Sequence, residues 1–373
     1  MRRRDFLAVS ASVLGLPAVT IRAAAERHLL YIAEPGIRNY QQYGGLGVLV
    51  YDIDAGYRFV RRIPTWAVPD GQEAENVKGV AASARTGHLY VSTIRRMGCI
   101  DLRTDRMVWE RELEGGCDRM AISPDGRVIY APSFEGPHWN VVDALTGAQV
   151  AQVVVGSGAH NTVFGPDGTL VYLASLRTPD LAVVDARTHQ VVRTVGPFTA
   201  PIRPFTVNGA ETRCYVNVNG LLGFEIGDLR TGRMLHRVEV QGYPMGPVAR
   251  HGCPSHGIGL TPDESELWVA DGHNNAMHVF DNTVMPPKQT TTLALRDQPG
   301  WITFSIDGRH AYPSTGEVFD TRTKEKIAAL DDETGRQVGS EKLLEIVFDG
   351  DTPVRNGAQF GLGGVRVGVP QRR

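Results

Sequence analysis

Met120-Ala-Ile-Ser-Pro-Asp-Gly-Arg-Val-Ile-Tyr130 is followed by Trp139-Asn-Val-Val-Asp143, Leu145-Thr-Gly147 and Gln149-Val-Ala-Gln-Val-Val-Val155. The same order returns about forty residues on, as Thr162-Val-Phe-Gly-Pro-Asp-Gly-Thr-Leu-Val-Tyr172, Leu181-Ala-Val-Val-Asp185, Arg187-Thr188 and Val191-Val-Arg-Thr-Val195. Each unit reads as strand, tight turn, strand, loop, strand ending in Asp, a second turn, strand. Pro presets the φ that such a turn needs, and Gly accepts the left-handed conformation that closes it. The flanking runs alternate or are wholly apolar over short lengths, the pattern of half-covered and fully covered strands.

Further copies of the first turn stand at Ser83-Ala-Arg-Thr-Gly-His-Leu-Tyr90, Asn208-Gly-Ala-Glu-Thr-Arg-Cys-Tyr215, Thr261-Pro-Asp-Glu-Ser-Glu-Leu-Trp268 and Ser305-Ile-Asp-Gly-Arg-His-Ala-Tyr312, making six in all. Four short strands per unit at this period predict propeller blades. A seventh blade is predicted to be split between the chain ends, with three strands at Leu29–Ala33, Leu46–Asp52 and Tyr57–Arg61 and a fourth at Lys342–Phe348. The predicted fold is therefore all-β: a seven-bladed β-propeller of four-stranded antiparallel blades, its ring closed by a C-terminal strand joining the N-terminal blade. Such closure leaves no open sheet edge. An open array or two β-sandwiches are the competing arrangements.

Ser123-Pro-Asp-Gly-Arg-Val-Ile-Tyr130 and Thr261-Pro-Asp-Glu-Ser-Glu-Leu-Trp-Val-Ala270 resemble the YVTN-repeat β-propeller family, a bacterial, export-prone group similar to the propellers of lactonases, surface-layer proteins and haem-d1 nitrite reductases. The resemblance extends over nearly all of the chain after residue 25. It speaks to fold, since one propeller fold hosts many unrelated activities.

Composition narrows the function classes. A formal charge of −2, with no concentrated basic face, argues against a nucleic-acid partner, which requires counterion displacement. Cys99, Cys117, Cys214 and Cys253 form no CxxC or CxxCH spacing, which excludes a zinc ribbon and c-type haem. Arg2-Arg3-Arg4-Asp5-Phe6-Leu7, an apolar run through Val19 and Ala23-Ala24-Ala25 give the order of a secretory signal. Residues 1–25 are expected to be that signal, Tat-like in its twin arginines with a Sec signal as the alternative, and residues 26–373 a single propeller domain. The expected location is periplasmic or secreted, without a membrane span in the mature chain.

In a propeller, the start of each innermost strand and the loop between its second and third strands open on one face. Aligning the repeats places Lys78, Asp118, His160, Arg203, His256 and Gly300 around that mouth, with Lys342 at the split blade. The loops add Arg95, Arg96, Glu135, His138, Arg177, Asn219, His273 and Asn274. A polar channel lining belongs to any propeller, yet two His, several cations and an Asp go beyond what hydration requires. Three chemistries fit. His160 and His256 with Asp118 or Glu135 could ligate a divalent metal. His160 or His256 could serve as a catalytic base beside Arg and Lys, opening a lactone. The cations could hold an anionic ligand or cofactor, such as a quinone. His251-Gly-Cys-Pro-Ser-His-Gly257 is the densest stretch; it reads as a shaped loop in which His256 lines the channel and Cys253 is structural or disulfide-bonded, with metal ligation by His251, Cys253 and His256 as the alternative. His278 is expected to be structural. The preferred reading is an exported binding or scaffold propeller recognising a small anionic molecule or a protein partner; the alternative is a hydrolase of the lactonase type, metal-dependent or not.

Overall fold

The computed structural model describes residues 26–248 and 250–366; the N-terminal signal expected at residues 1–25 lies outside them. Seven antiparallel sheets follow the repeat. Their innermost strands are Val77–Ser83, Ala121–Ile122, Ala159–Phe164, Ile202–Val207, Ile258–Leu260, Ile302–Phe304 and Leu343–Asp349. In each of the first six blades the chain then steps outward through three further strands. The seventh blade closes the ring: Leu343–Asp349 pairs with Arg27–Glu34, Tyr31 standing opposite Leu344. Among the described residues no helix is long and apolar enough to cross a membrane.

One irregularity appears in every blade. The third and fourth strands slip register between Val50 and Tyr51, Cys99 and Ile100, Val141 and Val142, Val183 and Val184, Ile226 and Gly227, Val279 and Phe280, and Val318 and Phe319. A bulge inserts one unpaired residue and sharpens strand twist, so the blades are copies of one unit down to this detail. Between blades the sheets pack face to face: Val163, Tyr172 and Val183 of the third blade meet Phe205, Val216 and Val218 of the fourth. Second and third strands such as Leu170–Ser175 and Leu181–Asp185 are buried along nearly their whole length and read as apolar runs, whereas the outermost ones, such as Met234–Glu239, alternate in exposure.

The Asp that ends each third strand has a definite task. Oδ1 of Asp101, Asp143, Asp185, Asp228 and Asp320 each accepts two backbone N–H bonds from the turn that follows. Those bonds, led by the ones from Thr188, Thr231 and Thr323, hold Asp185, Asp228 and Asp320 below the usual carboxylate range. A folded-state pKa below the unfolded one contributes stability above the unfolded pKa, about 3.9, and loses it as pH falls through the folded value. The melting temperature is therefore expected to fall below about pH 4, and to fall less in the triple variant Asp185→Asn/Asp228→Asn/Asp320→Asn, whose amides accept the same bonds at any pH. Identical acid profiles would refute this role.

The seventh sheet has a fifth strand that the repeat does not predict. Thr352–Asn356 turns back along the channel side of Leu343–Asp349, and residues 357–366 continue across the channel on the face of the Pro-Asp-Gly turns. Gln359 donates to the Met120 carbonyl and accepts from Val80 N–H. Gly361 accepts from Leu260 N–H and the Thr206 hydroxyl, Gly363 donates to Val207, and Gly364 donates to Pro262. Gly361 runs against Gly259 so closely that a Cβ on it would lie 2.8 Å from the Gly259 Cα, so glycine is required at this crossing. The tail covers the exposed edges of the inner strands and floors the channel.

Candidate functional site

With one end floored, the channel opens at the face where the inner strands begin. There the chain collects ionisable groups and buries them. Asp118 and Arg119 precede the second blade's inner strand, His160 lies at the start of the third, His256 precedes the fifth, and Glu341-Lys342 precede the closing strand. Asp118, Arg119, His160, His256, Glu341 and Lys342 are all buried. Groups this deep must pair, and they do.

Asp118 accepts from His160 Nδ1–H at 2.6 Å and faces Lys78 Nζ at 3.5 Å. Arg119 donates to His160 Nε2 at 3.3 Å and to Glu341 Oε2, while its guanidinium lies 4.3 Å from the centre of the Trp301 ring. Because Arg can only donate, His160 Nε2 is the acceptor and Nδ1 carries the proton. Lys342 Nζ bridges Glu341 Oε2 and the Gly36 carbonyl, both at 2.8 Å. His256 Nδ1 donates to the Gly300 carbonyl at 3.2 Å, and His251 stacks on its ring at 4.3 Å.

Burial sets the charges. It pushes His160 and His251 down to about 4 and His256 well below its ordinary value, so all three are neutral at neutral pH. Burial works against the Glu341 carboxylate, but Lys342 and Arg119 hold it well below the usual range. Asp118 is held low in the same way by His160, Lys78 and Arg119. Burial and the neighbouring Arg119 push Lys342 down to about 7. The neck thus holds three basic side chains, Lys78, Arg119 and Lys342, against two carboxylates, Asp118 and Glu341. Several polar atoms are buried without a partner among the described residues: Arg119 Nε, Glu341 Oε1 and both amide atoms of Asn161.

The connection between the fourth and fifth blades covers part of this neck. Gly242, Gly246 and Gly252 with Pro244, Pro247 and Pro254 deny it regular structure. It is tied down instead by side chains. Arg250 reaches Asp297 and Tyr43, Arg38 donates to the Arg250 carbonyl at 2.6 Å, and Arg203 holds the Gly252 carbonyl and Asn219. Beside the neck lies a cavity of about 750 Å³ lined by Arg38, Arg95 and Arg96 against Glu34, Glu73 and Glu75, with Trp66 and Phe134; Phe134 also packs under Lys78 Nζ.

Lys78, Asp118, His160, His256 and Lys342 therefore meet at one place. Other residues expected at the mouth do not join them. Glu135 and Arg177 face each other at 3.9 Å on the exposed rim. His138 donates to the Glu114 carbonyl beside its own strand, and His273 with Asn274 anchors the 244–247 stretch. Side chains at loop tips reach outward over the blades, so alignment to the mouth does not bring them to the axis. Arg203 stands between, tethering the covering loop. Arg119, Glu341 and Trp301 were not singled out in the sequence, although each is the immediate neighbour of an aligned ring position.

Of the candidate metal ligands His160, His256 and Asp118, Asp118 accepts from His160 Nδ1 and faces Lys78 Nζ. Cys253 stands apart, since its thiol donates to the Ser255 carbonyl and burial pushes it up to about 12. All four cysteines are free and buried. His278 is structural as expected, fixed between Asp271 and Thr292.

Comparison with known proteins speaks to the fold. The chain is similar to the β-propeller domain of Cps50 (Swd1) from Myceliophteria thermophila, with a TM-score of 0.57 and 11% identity, covering 74% of this chain and 87% of that one. No family model matches the chain, and no curated protein matches it in sequence. The seven blades are shown by the structure, and the likeness shows the propeller fold.

Proposed function

We propose that this propeller binds a small anionic molecule at the neck of its floored channel. One observation carries the reading: Lys78, Arg119 and Lys342 converge there, paired among the described residues with Asp118 and Glu341, and Lys342, pushed down to about 7, takes up its full charge when an anion enters. An anion placed in a low-dielectric site of that balance gains from every cation around it. The 750 Å³ cavity beside Phe134 has the size of ordinary ligand sites and would take the body of such a molecule. Membership of the YVTN-repeat group belongs to the same proposal, supported by the turns at Ser123–Tyr130 and Thr261–Ala270. Export by the twin-arginine route, supported by residues 1–25, completes it.

Calorimetric titration of the purified chain with phosphate, acetate and succinate at low ionic strength tests the reading. Saturable binding is expected, weakened about tenfold in Lys78→Gln, the cation nearest solvent, and weakened further by added salt. Absence of binding by any of the three anions, or indifference to Lys78→Gln, would overturn it.

A second reading draws on the Asp118–His160 pair, which holds an imidazole in one tautomer as a base-orienting carboxylate does. His160 would then act on an ester or lactone once a substrate displaced Arg119 from Nε2. Hydrolysis of simple lactones that is lost in His160→Gln would establish it.

A further inference from the structure

We propose that His251, His256 and Glu341 form a binding site for a divalent first-row transition ion of the Zn²⁺ kind, with one coordination position open toward the channel neck. Their donor atoms all lie within 4.8 Å of one another. Two imidazoles and a carboxylate are the ligand set of Zn²⁺ sites that keep an open position.

Two of the three donors are oriented from behind. His256 gives its Nδ1 proton to the Gly300 carbonyl, which leaves Nε2 as a free lone pair. Glu341 Oε2 is occupied by Arg119 and Lys342, while Oε1 is buried without a hydrogen-bond partner among the described residues. That orphaned oxygen faces His251 Nε2 at 3.3 Å. A fixed tautomer and a carboxylate held by its other oxygen are how metal ligands are commonly supported.

Gly300 supplies an independent observation. A Cβ built on it would overlap both Glu341 Oε1 and His251 Nε2, so only a glycine lets these two donors approach each other against the backbone. The backbone there has no left-handed φ to explain the glycine; the close approach of the two donors does. His251 arrives on the connection that covers the neck, so the ion would also pin that connection to the closing blade.

The proposal rests on the anion-binding reading only for what occupies the open position. A divalent ion adds positive charge to a neck already short of carboxylates, so ion and anion should favour each other's binding, reciprocally.

The test is a Co²⁺ titration of the full-length chain, stripped with chelator and exchanged into a buffer free of coordinating anions, followed by visible absorption and by metal analysis. Expected is one equivalent bound with d–d bands of a low-coordinate nitrogen–oxygen site, displaced by Zn²⁺. Loss of affinity by about 100-fold or more is expected in His251→Ala and in His256→Gln. The His251 ring stacks on His256, so its variant is expected to melt somewhat lower without metal and is titrated well below that midpoint, where circular dichroism shows it folded. No stoichiometric binding by the wild type, or unchanged binding in either folded variant, would overturn the proposal. The phosphate titration of metal-free protein with Lys78→Gln as comparison reports on the anion reading alone, so the two fail separately.

Discussion

Arg119→Met is expected to lower the unfolding free energy by about 3–5 kcal/mol, the usual cost of removing one partner from a buried ion pair. Arg119 is 1% exposed and its guanidinium serves Glu341, His160 and the Trp301 face at once. The methionine fills much of the volume, so the loss falls on Glu341, left with Lys342 alone. In the double variant Arg119→Met/Glu341→Gln the buried carboxylate is gone as well. A double-mutant cycle in urea should therefore give a coupling of about 2–3 kcal/mol. A loss under 1 kcal/mol for the single variant, or additive effects, would mean that the neck is more solvated than its burial implies.

Phe360→Ala is expected to cost a similar amount, about 3–5 kcal/mol, as truncation of a buried aromatic ring does. Phe360 is the tail's main apolar anchor in the floor, edge-on to Trp301 with ring centres 5.3 Å apart, and it packs among the residues shared by the third and fourth blades. Trp301 also donates its indole N–H to the Gln359 carbonyl at the same crossing. Since the other side of Trp301 carries Arg119, the floor supports the site: a loosened tail should also raise hydrogen exchange around Arg119 and Trp301. Denaturation midpoints and exchange measured on the same variant decide this. Loss of stability without change at the neck would separate floor from site.

The blades were legible because turn chemistry repeats. Pro-Asp-Gly and the Asp ending each third strand mark the same backbone events in successive copies, and even the Asn208 turn, which lacks the triplet, keeps the pattern through Asn208 Oδ1 bonds to Thr212 and Arg213 N–H. The tail was not legible. Gly357-Ala-Gln-Phe-Gly-Leu-Gly-Gly364 has no alternation, since its backbone pairs with the edges of several blades in turn and not with one neighbouring strand. Part of the site could be read for a related reason. The ring alignment places residues one per blade, which gathers Lys78, Asp118, His160, His256 and Lys342, but it is blind to the next residue along. Arg119 and Glu341 point inward because the chain has not yet entered the strictly alternating strand. His251 needed the course of an irregular loop, which no period encodes.

If the neck of the floored channel is an anion site, a heavy-atom anion should lodge there. Crystals of the full-length chain grown with selenate, whose selenium is located by anomalous scattering, test it most directly. An anomalous peak is expected at the neck within hydrogen-bonding reach of Lys78 and Arg119, absent in Lys78→Gln. Selenate found only along the exposed outer strands, with the neck closed around its own ion pairs, would contradict it.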